Sequence, residues 1–200
     1  MKVIVVTGGI GSGKSASCRF LNERFGWPVY NADKRVKDLY LTHPVLLDRV
    51  ELALGKKIRD PGGSFSPSAL AKEIFSDRKS LEMVEELVFP VLLDDFERWK
   101  SSCGGSCVIL ESATILEKPL LKDSGDVVLV IDAPVAIRAA RAAARDGISV
   151  DDVRLRMKNQ PLMNGISEGL EVLPDVTVIM NDASEEKLYE KLLVWAENTV

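Results

Sequence analysis

Apolar residues occur along the chain in short runs that are nearly continuous rather than alternating with polar residues. Continuous runs of β-branched residues are typical of strands buried on both faces of a parallel sheet. The runs occupy residues 3–6, 29–30, 107–110, 127–131 and 176–179. Between them, apolar residues recur at spacings of three and four, which predicts helices. These helices are expected over residues 15–25, 80–100, 134–145 and 184–198.

The alternation of strands and helices predicts an α/β fold, with a parallel five-stranded sheet flanked by helices. We expect one domain over residues 1–200. The long interval at about residues 32–105 is mostly helical in pattern, which predicts a helical insertion that closes over a ligand. A second insertion, at about residues 141–165, is expected to form a lid.

Composition excludes several classes of protein. The chain has 26 Lys and Arg residues against 30 Asp and Glu, a net charge of −4, which argues against a nucleic-acid binder with a basic surface. Its apolar runs are far shorter than the roughly 20 residues of a membrane span, and its first residues show no signal-peptide pattern. We therefore expect no membrane association and a cytoplasmic location. The three cysteines indicate no disulfide framework, and the oligomeric state stays open.

Residues 8–15 read GGIGSGKS and satisfy G-x-x-x-x-G-K-[ST], the phosphate-binding loop, here called the phosphate loop. It follows a predicted strand and precedes a predicted helix, where backbone N–H groups can cradle anionic oxygens. Lys14 would reach the β- and γ-phosphates, and the Ser15 hydroxyl would bind Mg²⁺. The residues expected to contact the nucleotide here are Gly8, Gly9, Ile10, Gly11, Ser12, Gly13, Lys14, Ser15 and Ala16.

Two carboxylates follow predicted strands, at the sheet edge where ligands bind in open α/β folds. Asp33 comes after the second strand, and either accepts the proton of an attacking hydroxyl or caps the helix that starts near Lys34. The spacing does not decide between these roles. Glu111 ends the third strand and is predicted to lie near Mg²⁺, with a solvent-facing strand end as the alternative.

Arginines cluster in the helix predicted after the fourth strand and in the residues that follow it. Arg138, Arg141 and Arg145 are spaced by three and four and so share a helix face. A solvated basic face is the usual explanation of this pattern. Beside a phosphate loop, the same face can stabilise charge on a transferred phosphoryl group.

An early phosphate loop followed by two helical insertions favours a small phosphotransferase, because such enzymes must exclude water from the phosphoryl group. Another nucleoside or nucleotide kinase is one alternative. A non-kinase nucleotide switch is the second, and it would bind nucleotide tightly and need a partner protein for turnover.

These segments together resemble the dephospho-CoA kinase family. Residues 7–15 are close to that family's T-G-G-I-[GA]-S-G-K-S, and residues 27–34 are similar to its I-P-V-x-D-A-D-x segment. The family's lid pattern is followed at residues 132–134, 141, 145–147 and 156–160. Asn181 and Asp182 stand where the family has a pair near the adenine. Together with residues 111–113, they resemble the Bacteroidetes branch of the family.

The resemblance implies a reaction in which ATP, with Mg²⁺, phosphorylates the ribose 3′-hydroxyl of dephospho-CoA. The products are CoA and ADP, in the last step of coenzyme A biosynthesis. The resemblance makes Asp33 the general base and the insertion at about residues 32–105 the CoA-binding part. It implies catalytic roles for Asp33, Lys14 and Arg145, ATP contacts for Arg141, Arg145 and Asn181, and acceptor contacts for Asp33, Lys37 and Glu111. Arg138 matches no family position and keeps the solvated-surface interpretation.

The chain departs from the family pattern at four places. Asn31 replaces the first aspartate of D-A-D, Lys37 stands where many members have arginine, and Phe89 replaces a histidine. Residues 161–175 lack the family's basic run. We expect these changes to affect substrate contacts while leaving the phosphate loop intact.

Overall fold

The elements of the fold alternate much as the hydrophobic pattern predicts. A computed structural model describes residues 1–118, 124–158, 160, 162–163, 166 and 176–199. In chain order the elements are β1 (Lys2–Thr7), α1 (Lys14–Phe25), β2 (Val29–Asn31), α2 (Ala32–Thr42), α3 (Pro44–Leu54), α4 (Pro67–Ser76), α5 (Arg78–Ser102), β3 (Cys107–Glu111), a 3-10 turn (Ile115–Glu117), β4 (Val127–Asp132), α6 (Val135–Asp146), α7 (Val150–Met157), β5 (Val176–Met180) and α8 (Glu185–Thr199).

The five strands form one sheet in the order β2-β3-β1-β4-β5, with β1 at its centre. The pairs of β1 with β3, β1 with β4 and β4 with β5 are parallel. Every residue of β3 is buried, as expected of a strand covered on both faces. The predicted α/β fold with a parallel five-stranded sheet is confirmed.

The register of the sheet places chemically useful strand ends side by side. Val6 lies opposite Glu111, and Thr7 lies opposite Val130. The phosphate loop leaves β1 at this same edge, because Thr7 is the last residue of that strand. The sheet therefore delivers the loop and the end of β3 to one place.

The chain divides into two compact units. The sheet unit comprises residues 1–30 and 103–200, and the helical unit comprises residues 31–102. In the sheet unit, α1 and α8 pack on one face of the sheet, and the rings of Phe20 and Tyr189 stack 4.2 Å apart. The core residues on that face include Ile4, Val6, Cys18, Leu21, Ile109, Leu129, Ile131, Leu188, Leu192 and Trp195.

The helical unit contains α2 to α5 and has a core of its own. In α5, Val84, Val88, Leu92 and Phe96 are buried at intervals of four, so that one stripe of this 25-residue helix faces inward. The rings of Tyr40 and Phe65 stack 4.2 Å apart. Within the described ranges, no helix combines the length and the apolar character that a membrane crossing needs.

Glu51 fixes the connection between α3 and α4. It is 6% exposed, and its carboxylate accepts hydrogen bonds from the Ile58 N–H, Lys57 Nζ and Arg59 Nε at 3.0, 2.9 and 3.2 Å. Burial acts to raise the pKa of Glu51, but these hydrogen bonds outweigh it and hold the pKa below its ordinary value. The basic side chains of this connection therefore have a structural role.

The Glu51 carboxylate should make stability depend on pH. A carboxylate with a lowered folded-state pKa stabilises the fold while it is ionised, and this stabilisation disappears as the pH falls through that pKa. We expect Glu51→Gln to lower the free energy of unfolding at pH 7 by about 1–3 kcal/mol. The deficit should shrink between about pH 6 and about pH 3, as the wild-type carboxylate is protonated.

Urea unfolding over that pH range measures the effect. Glu82→Gln is the matched control, because Glu82 pairs with Arg78 on the exposed surface of α5. Such a pair contributes about 0.5 kcal/mol or less. A constant difference between wild type and Glu51→Gln at every pH would contradict the expectation.

Candidate active site

The phosphate loop is shaped by glycines. Gly8, Gly11 and Gly13 have φ angles of 153°, 77° and 102°, in a region that residues with side chains rarely adopt. Gly13 is the N-cap residue of α1, whose first turn has neither a side-chain cap nor an acidic residue. The N–H groups of this turn and the positive end of the helix dipole therefore remain for an anion.

A cavity of about 360 Å³ opens over this loop. Besides loop residues 8–15, it is lined by Ala16, Arg19, Ala113, Arg141, Ala142 and Arg145. Three arginines and a lysine thus surround a pocket beside a helix N-terminus, an arrangement that favours a polyanionic ligand. The structure brings the predicted residues Lys14, Ser15, Arg141 and Arg145 together here.

Glu111 connects the end of β3 to the start of α1. Its Oε1 accepts hydrogen bonds from Lys14 Nζ at 3.0 Å and from Ser15 Oγ at 2.6 Å. Glu111 is only 4% exposed, so the solvent-facing alternative is wrong. The carboxylate lies beside both side chains that the sequence assigns to phosphate and metal chemistry.

Cys18 lies one turn along α1 from Lys14 and is 1% exposed. Burial, with a smaller contribution from Glu111, raises the pKa of its thiol far above the ordinary value. A thiol that stays protonated is a poor nucleophile. Cys18 instead packs in the core of the sheet unit.

Asn181 supports the phosphate loop from the end of β5. Its side-chain Nδ2 donates to the Ser12 carbonyl at 2.8 Å, and its backbone carbonyl accepts from Arg141 Nη1 at 3.0 Å. Gly13 has a φ of 102°, which strains any residue with a side chain, and a Cβ there would also lie 2.3 Å from that Nδ2. Asn181 therefore holds the loop, and its expected contact with ATP stays a prediction.

Arg145 lies at the end of α6 and is largely exposed. It donates to both carboxylate oxygens of Asp146, at 2.7 and 3.0 Å, and Arg156 lies 3.6 Å from the same carboxylate. Hydrogen bonding from Arg145, opposed by slight desolvation, lowers the pKa of Asp146. An exposed pair of this kind is weak, so Arg145 can exchange its partner for a phosphate.

Arg138 is not a surface residue, and the solvated interpretation of it is wrong. It is 0% exposed, and its Nε donates to the carbonyl of Ile10 at 3.2 Å. A Cβ on Gly9 would lie 2.3 Å from its Nη2, and a Cβ on Gly11 would lie 2.1 Å from its carbonyl oxygen. Gly9 and Gly11 stand at positions where the motif allows any residue. In the sequence, this close packing is indicated only by the presence of glycine at both positions.

Asp33 and Lys37 lie one turn apart on α2 in the helical unit, and both are exposed. The N-cap of α2 is Asn31, whose Oδ1 accepts from the Lys34 N–H at 2.8 Å. The alternative in which Asp33 caps the helix is therefore wrong. Asparagine and aspartate cap helices equally well, so the departure at position 31 preserves the cap.

The pair that fixes α2 within the helical unit was not foreseeable from any sequence pattern. Arg35 donates from Nε and Nη2 to the two oxygens of Asp95 on α5, at 2.6 and 2.8 Å. This two-point contact fixes an orientation as well as a distance.

The other two departures from the family pattern lie in different parts of the chain. Phe89 is half-buried on α5. Most of the segment that lacks the basic run lies outside the described residues, namely 161, 164–165 and 167–175. Residues 159, 161 and 164–165 of the predicted lid also lie outside them.

Comparisons with known proteins agree with this geometry. A sequence model of the dephospho-CoA kinase family matches residues 2–185. The chain belongs to the dephospho-CoA kinase family. A dephospho-CoA kinase of Porphyromonas gingivalis is 39% identical over 160 residues, which cover 80% of this chain and 78% of that protein. One from Salinibacter ruber is 30% identical over 200 residues, which cover 98% of each.

Solved structures show the same fold. A Thermus thermophilus protein superposes with a TM-score of 0.81 at 26% identity, covering 100% of this chain and 98% of that one. A dephospho-CoA kinase of Campylobacter jejuni superposes with a TM-score of 0.62 at 17% identity, over 98% and 96% of the two chains. As a dephospho-CoA kinase family member, the chain is an ATP-dependent phosphotransferase with dephospho-CoA as its second small-molecule substrate. The resemblance to the Bacteroidetes branch is also confirmed, and neither alternative function is supported.

The packing of α6 against the loop predicts a severe effect of Gly11→Ala. The new Cβ would lie 2.1 Å from the Arg138 carbonyl oxygen, at a φ of 77°. We expect the affinity for ADP to fall at least about tenfold, because the loop must move to relieve the contact. Titration calorimetry with ADP measures this.

Gly26→Ala is the matched control, because Gly26 has a similar φ of 69° and a Cβ there would have no neighbouring atom within 4 Å. It should cost about 1–2 kcal/mol of stability from backbone strain alone and leave ADP affinity unchanged. If Gly11→Ala and Gly26→Ala bound ADP equally tightly, the close packing of α6 against the loop would not control ADP affinity.

Proposed function

We propose that the phosphate loop holds the phosphates of ATP and that the ribose 3′-hydroxyl of dephospho-CoA attacks the γ-phosphoryl group. The observation that carries this proposal is the contact of Glu111 with both Lys14 and Ser15 at the N-terminus of α1. Phosphoryl transfer depends mainly on positioning and charge stabilisation, and this arrangement supplies both.

Mg²⁺ would neutralise charge on the β- and γ-phosphates when bound. The residues present fit this ion, since Ser15 Oγ and Glu111 Oε1 are hard oxygen donors only 2.6 Å apart. Mg²⁺ in kinases is commonly held by one or two protein groups together with phosphates and waters. We assign Ser15 to the ion directly and Glu111 to its immediate surroundings. The expected contact of Glu111 with the acceptor stays a prediction.

Lys14 and Arg145 supply positive charge for the phosphates, and each already has a carboxylate neighbour. Lys14 is paired with Glu111 and is 13% exposed in its side chain, whereas Arg145 is paired with Asp146 and is 65% exposed. Phosphates therefore compete with carboxylates for both cations. The exchange should cost little at Arg145, because water screens its pair with Asp146.

Asp33 is proposed as the group that accepts the proton of the attacking hydroxyl. Because Asn31 caps α2, the exposed carboxylate of Asp33 is not committed to that cap. Lys37 lies one turn further along the same face, where a cation suits an acceptor phosphate. The helical unit would then bind the acceptor, and residues at about 141–165 would close over ATP. The cytoplasmic location expected from the sequence also stays a prediction.

Ser15→Ala tests the assignment of Mg²⁺. Loss of the hydroxyl should raise the Mg²⁺ concentration needed for half-maximal activity by about tenfold or more, since one metal contact is lost. Binding of ADP without Mg²⁺ should be unchanged. Ser15→Thr keeps the hydroxyl and should behave as wild type. An unchanged Mg²⁺ requirement in Ser15→Ala would place the ion elsewhere.

Asp33→Asn tests the proton acceptor. We expect kcat to fall by about 10²–10⁴-fold while the KM values for ATP and dephospho-CoA change little. ADP release coupled to CoA formation measures this, with nucleosides and nucleoside monophosphates as competing acceptors. Asp38→Asn on the same helix is the control and should keep full activity.

One outcome would contradict the role of Asp33, and another would contradict the proposed acceptor. Near-normal turnover by Asp33→Asn would reduce Asp33 to a residue that only orients the hydroxyl. ADP release by the wild type in the absence of dephospho-CoA would contradict transfer to this acceptor.

A further inference from the structure

The peptide groups of Ile10, at the tip of the phosphate loop, are held on two sides. The Ile10 N–H donates to Gln160 Oε1 at 2.9 Å, and the Ile10 carbonyl accepts from Arg138 Nε at 3.2 Å. Ile10 is half-buried, and the two side chains that hold it are shielded from water, since Arg138 is 0% exposed and Gln160 is 5% exposed. Loop tips usually give their polar backbone groups to water, and here two buried side chains take them instead.

Arg138 also joins the loop to the segment that follows α7. Its Nη1 lies 3.4 Å from the Met163 carbonyl oxygen and 3.4 Å from Asp132 Oδ1. The rigid fork of a guanidinium can make these contacts together with the one to Ile10, which a lysine ammonium cannot do. Burial lowers the pKa of Arg138, and Asp132 opposes this effect, so the buried charge has a nearby carboxylate.

The three contacts form a network. Ile10 binds both Gln160 and Arg138, and Arg138 also binds the Met163 carbonyl. A movement of the loop tip would therefore break two hydrogen bonds at once. Networks of buried, satisfied hydrogen bonds of this kind rigidify the groups they connect.

Arg138 acts on the loop rather than on the ligand. The cavity over the loop is lined by Arg141, Ala142 and Arg145 of the same helix, and Arg138 is not among its lining residues. Its guanidinium packs against Gly9, on the buried side of the loop. A group in this place acts on a bound phosphate through the shape of the loop or through its charge, and Arg138→Lys separates the two because it keeps the charge.

We propose that Arg138 and Gln160 are positioning residues that clamp the two peptide groups flanking Ile10 and preset the phosphate loop for the phosphates of ATP. This inference rests on the proposed role of the loop as the ATP phosphate site. A loop that is already in its binding conformation loses little entropy when the phosphates bind, and nucleotide affinity is the property that the clamp supports.

Arg138→Met and Gln160→Leu test the clamp by calorimetric titration with ADP and by steady-state kinetics. Each variant should weaken ADP binding and raise the KM for ATP by about tenfold, the loss expected for one buried hydrogen bond. The KM for dephospho-CoA should stay unchanged. The double variant should lose less than the product of the two single losses, because both contacts hold the same residue of the loop.

Three further variants make the result decisive. Arg138→Lys should resemble Arg138→Met, because an ammonium cannot replace the fork. Arg24→Met removes an exposed guanidinium from the last turn of α1 and should bind ADP as wild type does. Lys14→Met should abolish tight ADP binding, and if it does not, the proposed function of the loop fails rather than the clamp.

The clamp is overturned if Gln160→Leu binds ADP as tightly as wild type while Lys14→Met does not. It is also overturned if Arg138→Lys restores full affinity, since charge alone would then explain Arg138. A lower melting temperature and kcat with unchanged ADP affinity would reduce both residues to a general structural role. If Arg138→Met fails to fold, Gln160→Leu still decides the question.

Discussion

The phosphate loop must leave most of its N–H groups for an anion, so that few of them can hold the loop in shape. Within the loop, the Ser12 N–H donates to the Gly9 carbonyl, and the glycines adopt unusual φ angles. The remaining support comes from outside. Asn181 holds Ser12, while Arg138 and Gln160 hold Ile10. The rest of the sheet unit serves to bring these supports to the loop, because a preorganised anion site needs fixed donors.

The parallel sheet brings them together through its register. Parallel strands end at one edge, so the loop after β1, Glu111 on β3 and Asn181 after β5 meet there although they are far apart in sequence. The core formed by α1 and α8 against the sheet then fixes the direction of α1, and with it the positive end of the helix dipole. A change in register by one residue would turn Glu111 away from Lys14 and Ser15.

Carboxylates partner the basic residues in both units. In the sheet unit, Glu111 pairs with Lys14 in a buried site and Asp146 pairs with Arg145 at the surface. In the helical unit, Asp95 binds Arg35, and Glu51 binds Lys57 and Arg59. Water screens the exposed pair, so Arg145 can exchange Asp146 for a phosphate at little cost, whereas Lys14 would meet a phosphate beside the buried carboxylate of Glu111. The pairs of Arg35, Lys57 and Arg59 stabilise the helical unit instead.

Local signals determined much of this protein. Near-continuous apolar runs located the strands to within one or two residues, and the glycine and lysine spacing identified the phosphate loop, because both depend on neighbouring residues alone. The burial of Arg138, the bracing role of Asn181 and the choice of Asn31 over Asp33 as the cap did not follow from such patterns. Arg138 and Gln160 reach Ile10 across 128 and 150 residues. Spacing along one helix reports which residues share a face, but only the packing of that helix against the loop decides whether the face meets water or a buried carbonyl.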